Sequence, residues 1–382
     1  MCPVTTTKPS LDLLRSLTDE HVLRALMAEE QLTRAELAAR TGISKPTVSE
    51  SARRLSAAGL IRDTGARTSG RGRVGSYYGL AGDIGTALVV SIAPEGVAAE
   101  CLDSHGAVLA SVRQPLARPA RPPQVEEALR AAAGQVLAAA HGHGPVRVSV
   151  VSAADPVDRR SGRLVHLPDA PFLVGELSPV DVLGPFVDGP VLVDNDVNWE
   201  ARAERAAAPP GALTDFAYLH LGEGMGCAVV SDGEVRRGFT GIAGEVAHLV
   251  TVGPGGQAMP LIEVFRELGL RQAGTTAIDV AALLAAFDEG AAAGPVPAAV
   301  GTALSGVLAA LVALCDPEMV ILGGEWGGHP AVIDTVRARF LQSPRQVPIQ
   351  PAAVKEEPAL SGARRQALDD LRTAIVALAR AA

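Results

Sequence analysis

Two groups of residues in this 382-residue chain have the types and spacing to do chemistry. The first is Lys45, Thr47, Ser49, Arg53 and Arg54, followed further on by Arg71 and Arg73. Small hydroxyls and guanidinium groups on one helix face are what the major groove of a duplex admits, where they bond base edges and phosphates. The second is Glu245 and, three residues later in a glycine-rich turn, His248; Asp194, Asn195 and Asp196, directly after the apolar run at 191–193, are of the type that forms a turn. A carboxylate and an imidazole so placed suit the binding of a polar ligand. Each group also has a plainer reading: solvated arginines on a helical hairpin, an Asx turn capping the next helix, a loop with a surface histidine.

The elements that must hold the first group are written locally. Thr33 caps a helix while Glu36 reaches back to the free backbone donors, and Leu37 and Ala38 give that helix an apolar face. Gly42 supplies the conformation that ends it. Ser44 starts the next helix with Pro46 in its first turn; Val48, Ser51, Ala52 and Leu55 share one side, and Thr47, Ser49, Glu50, Arg53 and Arg54 the other. Two capped helices joined by a glycine turn make a helix-turn-helix. Residues 18–30, with Val22, Leu23, Leu26 and Met27 at helical spacing, supply a supporting helix. Residues 62–78 set Arg67, Arg71 and Arg73 among glycines ahead of Tyr77 and Tyr78, as a basic two-stranded wing would. Residues 1–80 are therefore expected to form a winged helix-turn-helix that binds double-stranded DNA.

Charge supports a two-part design. The chain carries −8 overall, yet residues 1–80 hold 12 Lys/Arg against 8 Asp/Glu, and the remainder 22 against 34. A basic head attracts phosphate while an acidic body repels it, which orients the protein on a duplex and makes affinity fall with salt. With 48% apolar and 20% charged residues, a chain of this length suits two or three globular domains. Its four cysteines, at 2, 101, 227 and 315, show neither CxxC pairing nor the close spacing of a zinc site or disulfide scaffold, which fits a reducing cytoplasm. Neither an export segment nor an apolar run long enough to span a bilayer is expected, and no membrane partner.

Beyond residue 80 the pattern becomes α/β. Residues 87–92, 97–102 and 107–112 read as a three-strand meander, 125–140 as a helix and 146–151 as a strand. A second cycle follows: a strand at 191–193, a helix at 197–208, strands at 216–221 and 227–231, helices at 261–268, 277–287 and 297–314, a strand at 319–322 and a final helix at 363–379. The natural assembly is two lobes with a cleft between them, residues 81–190 joined by the C-terminal helix 363–382, and residues 191–362.

Four segments in order then carry a resemblance: Val193-Asp194-Asn195-Asp196-Val197-Asn198, Gly222-Glu223-Gly224-Met225-Gly226, Gly241-Ile242-Ala243-Gly244-Glu245-Val246-Ala247-His248, and the run from Asp316 to Gly324. With the winged head ahead of them, the chain resembles the repressor branch of the ROK family (repressors, open reading frames and kinases). The resemblance implies a two-lobed, actin-like sugar-kinase fold. It makes Asp196 the match of the base that takes a proton from a sugar hydroxyl, and Asn195, Glu245, His248 and Glu263 matches of residues that bind other hydroxyls. Buried amides and carboxylates discriminate sugars strongly, because a wrong epimer leaves one of them unpaired.

The departures from the family's kinases matter as much. The nearest match to their Asp-x-Gly-Gly-Thr phosphate loop is Asp83-Ile84-Gly85-Thr86, one glycine short, and Glu223 stands where the second phosphate loop has a hydroxyl. A carboxylate at contact distance from polyphosphate costs on the order of 1 to 4 kcal/mol. Residues 251–259 lack the cysteines with which most of the family completes a zinc site. The resemblance with these departures implies a cytoplasmic, sugar-responsive regulator, a repressor, that binds a palindromic operator as a homodimer or homotetramer, without cofactor, metal or kinase activity. The alternatives are an active ATP-dependent sugar kinase that also binds DNA, and a DNA-binding regulator with no small-molecule effector.

Overall fold

The computed structural model describes residues 11–68, 75–167, 172, 175–289 and 294–381. In the head, Thr33 Oγ1 accepts from Glu36 N at 3.2 Å and Glu36 Oε2 accepts from Thr33 N at 2.8 Å, so the capping box of helix Arg34–Thr41 is closed from both sides. Gly42 ends that helix at φ 71°, and Ser44 caps Lys45–Ala57, which buries Val48, Ser51, Ala52 and Leu55. Both helices pack on Leu11–Ala28, which starts earlier than the expected residue 18. Strands Ile61–Arg67 and Ser76–Leu80 form the wing, with Leu32–Thr33 pairing on the far side of Ser76–Leu80. Arg71 and Arg73 lie outside the described residues.

Each lobe is built on a five-stranded mixed sheet. In the first, Val108–Pro115, Gly96–Leu102 and Thr86–Ala93 make the antiparallel meander, and Val146–Ala153 and Val191–Asn195 continue it in parallel. In the second, Glu234–Val235, Met225–Ser231 and Phe216–Leu221 are antiparallel, and Met319–Gly323 and Ile349–Pro351 run parallel beyond them. This is the N-terminal winged helix followed by a two-lobed α/β fold of the sugar-kinase type that the sequence implies. Strand Ile349–Pro351 and helix Pro179–Leu183 went unread, as did two larger pieces. Helix Pro330–Phe340 covers the second sheet, and the segment after His248 forms a hairpin, Val250–Val252 against Ala258–Pro260, pinned by Thr251 Oγ1 donating to Ala303 O at 2.7 Å.

One expectation needs correcting. Helix Val296–Cys315 runs 20 residues without a charge, long and apolar enough to cross a membrane. It is a core helix here: Val300, Ala303, Leu304, Val307 and Leu308 are fully buried in the second lobe, beside Pro330–Phe340. The head is likewise not a loose appendage. Its apolar residues, from Val22 to Leu80, join Val89, Val148 and Trp199 of the first lobe and Leu371 and Ile375 of the C-terminal helix Pro358–Ala381 in one continuous cluster.

Candidate functional site

A cavity of about 280 Å³ opens between the lobes. Asn195 and Asp196 reach it from the point where strand Val191–Asn195 turns into helix Asp196–Ala207. The plain reading of this corner is partly realised. Asn195 caps the helix, accepting from Val197 N at 3.0 Å and donating to the carbonyls of Ala153 and Asp155 at 3.3 Å each. Asp194 is buried as an ionic hub for Arg202 (2.8 Å) and Arg237 (3.1 Å). Glu245 and His248 line the opposite wall. Gly244 makes that possible: at φ 102° its carbonyl accepts from Cys227 N at 2.9 Å, and a Cβ there would sit 1.8 Å from Cys227 O. Four of the five expected ligand residues therefore converge. Glu263 is not among the lining residues, since its carboxylate is held by Arg266 at 2.5 Å and Arg271 at 2.8 Å.

The cavity is strongly acidic: Glu95, Asp155, Asp196, Glu223, Glu245 and Glu325 all line it. Glu200 stands one helical turn beyond Asp196 and accepts from, or pairs with, His220 Nδ1 at 2.8 Å, while Glu325 lies 3.7 Å from His220 Nε2. Burial works against a charged His220, but Glu200, Asp196 and Glu325 outweigh it and push the imidazole up to about 10. Asp196 is pushed up to about 7, chiefly by burial; the His220 charge opposes this, and Glu200 and Asp155 add to it. Burial alone pushes Glu245 up to about 7. Among the described residues, no three His, Cys, Asp or Glu side chains are grouped so as to hold a metal ion.

The Glu245 shift has a testable sign. A carboxyl raised from 4.5 to about 7 on folding is stabilising in its protonated form, so its contribution is complete below pH 4.5 and is lost as pH rises toward 7. Glu245→Gln removes that loss. Urea unfolding of both proteins between about pH 5 and 8 is expected to show the variant gaining on the wild type as pH rises; parallel curves contradict the assignment.

The phosphate-loop match also needs correcting. Asp83-Ile84-Gly85-Thr86 does not face the cavity: Ile84 O accepts from Arg147 Nε at 2.6 Å and Asp83 O packs against Gly144, at the far end of the first sheet. The first-lobe turn that faces it is Ala93-Pro94-Glu95-Gly96, which offers a proline without an amide hydrogen and a carboxylate. Opposite, Glu223 is held by Arg118 of the first lobe at 2.7 and 3.0 Å and by Gln272 at 3.0 Å. Glu95, Arg118, Glu200, His220 and Glu325 were missed from sequence. The spacing of Asp196 and Glu200 on one helix face was the available signal, whereas the others meet only through the fold.

On the head, Lys45, Thr47 and Arg53 are exposed on the outer face of Lys45–Ala57, with Ser49 half-buried beside them. Arg53 is paired with Glu50 at 2.6 Å. Arg54 instead turns inward, bonding the buried Asp19 at 2.7 and 3.2 Å, and Ser51 bonds the same carboxylate. Arg54→Ala is expected to lower head stability by about 1 to 3 kcal/mol, because Asp19 loses its charged partner. Denaturant unfolding measures it, and an unchanged midpoint would refute the structural role.

Comparison with known proteins places these features. The ROK family model matches residues 90–260 and the MarR family model residues 17–72. A xylose repressor of Caldicellulosiruptor bescii is 39% identical over 59 residues, 15% of each chain. An N-acetylmannosamine kinase of Escherichia coli O157:H7 is 31% identical over 166 residues, 43% of this chain and 53% of that one. The chain thus spans about half or less of these relatives' length. Among solved structures, a ROK family transcriptional regulator described as a homolog of the E. coli MLC protein superposes with a TM-score of 0.63 at 18% identity, over 95% of this chain and 99% of that one, which shows a shared fold that includes the head. A ROK hexokinase from Thermus thermophilus gives 0.55 at 26% identity, over 73% and 96%. The chain carries a ROK family domain behind an N-terminal winged helix of the MarR type.

Proposed function

We propose that this protein is a sugar-responsive transcriptional repressor without kinase activity, cytoplasmic and acting as a homodimer or homotetramer. Residues 1–80 hold operator DNA, and a carbohydrate binds between the two lobes; the first takes in strand Val191–Asn195, paired to Val146–Ala153, so the expected boundary after residue 190 moves to the turn after Asn195. The observation that carries the reading is the character of the cleft: hydrogen-bonding groups suited to hydroxyls at Asn195, Asp196, Glu245 and His248, beside carboxylates at Glu95, Glu223 and Glu325 where a nucleotide phosphate would enter. A base with no positioned phosphoryl donor hydrogen-bonds the sugar and goes no further.

A packed route supports communication with the head. Asp196 opens helix Asp196–Ala207, whose Trp199 carbonyl lies so close to Gly362 that a Cβ there would be 2.1 Å away. Gly362 belongs to Pro358–Ala381, which reaches the head through Arg380 to Glu20 at 2.8 Å and Arg372 to Met27 O at 3.0 Å. Effector binding that shifts this helix changes the spacing of two heads on a palindromic site. From the head, Lys45, Thr47, Ser49 and Arg53 contact DNA, joined by Arg71 and Arg73, which lie outside the described residues. Arg53→Ala is expected to weaken operator binding by about 1 to 3 kcal/mol, whereas an unchanged affinity removes it from the reading set.

Footprinting of the operator with and without a panel of sugars, alongside thermal shift, tests the whole reading; no response to any sugar favours an effector-independent regulator. The kinase reading draws on the similarity to an N-acetylmannosamine kinase and a ROK hexokinase. A coupled ATP assay decides it, and turnover abolished by Asp196→Asn overturns our reading.

A further inference from the structure

We infer that Arg118 and Glu223 together set the chemical class of the effector: the cleft takes an unphosphorylated carbohydrate, because the guanidinium that faces it is already occupied by the protein's own carboxylate. The inference rests on the cleft being an effector site, as proposed above. Arg118 is the only arginine among the described residues lining the cavity, and no described lysine lines it. It is fixed from behind by Nε donating to Pro94 O at 3.2 Å, and Nη1 donates to both oxygens of Glu223. Glu223 is itself held from its own lobe, with Gln272 donating to Oε1 and Ile278 N donating to its backbone carbonyl at 2.9 Å. The pair therefore ties the lobes together and engages the Nε and Nη1 donors of the group best suited to an anion.

The remaining chemistry of the cavity points the same way. Phosphate oxygens only accept, so a phosphate monoester brought beside Glu95, Asp196, Glu245 or Glu325 meets repulsion wherever those carboxyls are ionised. The other basic side chains there are His248 and His220, and His220 is committed to Glu200. A neutral polyol meets the reverse situation: each of its hydroxyls donates, and the walls accept. Arg118 would be a good phosphate ligand if released, since a planar guanidinium matches phosphate oxygens two at a time. Glu223 is what withholds it.

The test uses the full chain in thermal-shift titrations with a panel of unphosphorylated sugars, the phosphate monoester of each, and inorganic phosphate. The wild type is expected to respond to a sugar and not to its monoester or to inorganic phosphate. Glu223→Gln is expected to bind inorganic phosphate about tenfold more tightly than the wild type, the size of one charge-assisted hydrogen bond, and Arg118→Gln/Glu223→Gln to lose that gain. Glu223→Thr releases the same guanidinium and repeats the measurement with a second side chain; retained DNA binding verifies that each variant is folded. A wild type stabilised at lower concentration by a monoester than by its parent sugar overturns the inference, as does a Glu223 variant no more sensitive to phosphate than the wild type. If no sugar or monoester shifts the wild type, the effector reading fails, and the phosphate response of the Glu223 variants still decides separately whether Arg118 is masked.

Discussion

Asp196→Ala is expected to lower effector affinity by about 10- to 150-fold while leaving operator affinity without effector at the wild-type level, the loss of one hydrogen bond to a charged acceptor in a water-poor cleft. The residue stands at the first position of helix Asp196–Ala207, where Val197 N donates to it at 2.8 Å, so its orientation is fixed before any ligand arrives. Its carboxyl, pushed up to about 7 by burial, is partly protonated near neutral pH. A sugar hydroxyl that donates to it favours the ionised form, so affinity should rise with pH through this range. Asp196→Asn should flatten that rise. Calorimetric titration at several pH values measures both effects; wild-type affinity in Asp196→Ala would remove the residue from the site.

The largest loss of stability is expected from Trp326→Ala, about 3 to 5 kcal/mol. Trp326 is fully buried, its ring 5.8 Å from that of Phe265, and its indole Nε1 donates to Gly222 O at 3.0 Å. The substitution opens a void in the second lobe and leaves the Gly222 carbonyl without that donor. Because Gly222 begins the loop that presents Glu223, effector binding should weaken alongside stability. Chemical unfolding gives the first number and ligand titration the second. A loss below about 1 kcal/mol would mean that the neighbours collapse into the space and that the loop is held elsewhere.

How far the sequence could be read depended on the distance between cause and effect along the chain. The head was legible because its signals are local: Thr33 and Glu36 are three residues apart, and Gly42 and Ser44 end one helix and begin the next. The apolar periodicities likewise located most strands and helices of both lobes. What failed was matching by string. Asp83-Ile84-Gly85-Thr86 has nearly the right letters in the wrong place, while the turn that faces the cleft, Ala93–Gly96, has no letters that suggest it. Arg54 follows the outward pattern of its helix, yet Asp19, on another helix, draws it inward. Arg118 and Glu223 lie 105 residues apart, and nothing in either neighbourhood announces the other. Helix Pro330–Phe340 is the opposite case: Pro330 in its first turn and Val332, Ile333, Val336 and Phe340 at helical spacing are ordinary local signals that went unread.

The shared core of the head and the C-terminal helix bears on how the molecule is made. The apolar cluster that holds Leu23, Leu26 and Leu55 also holds Leu371 and Ile375, hundreds of residues downstream. During translation the head emerges early, but the surface it rests on leaves the ribosome among the last of these residues. A nascent or prematurely terminated chain therefore carries its recognition helix on an unfinished support. The head is fully seated only once Pro358–Ala381 has been synthesised, by which point the chain already contains both lobes.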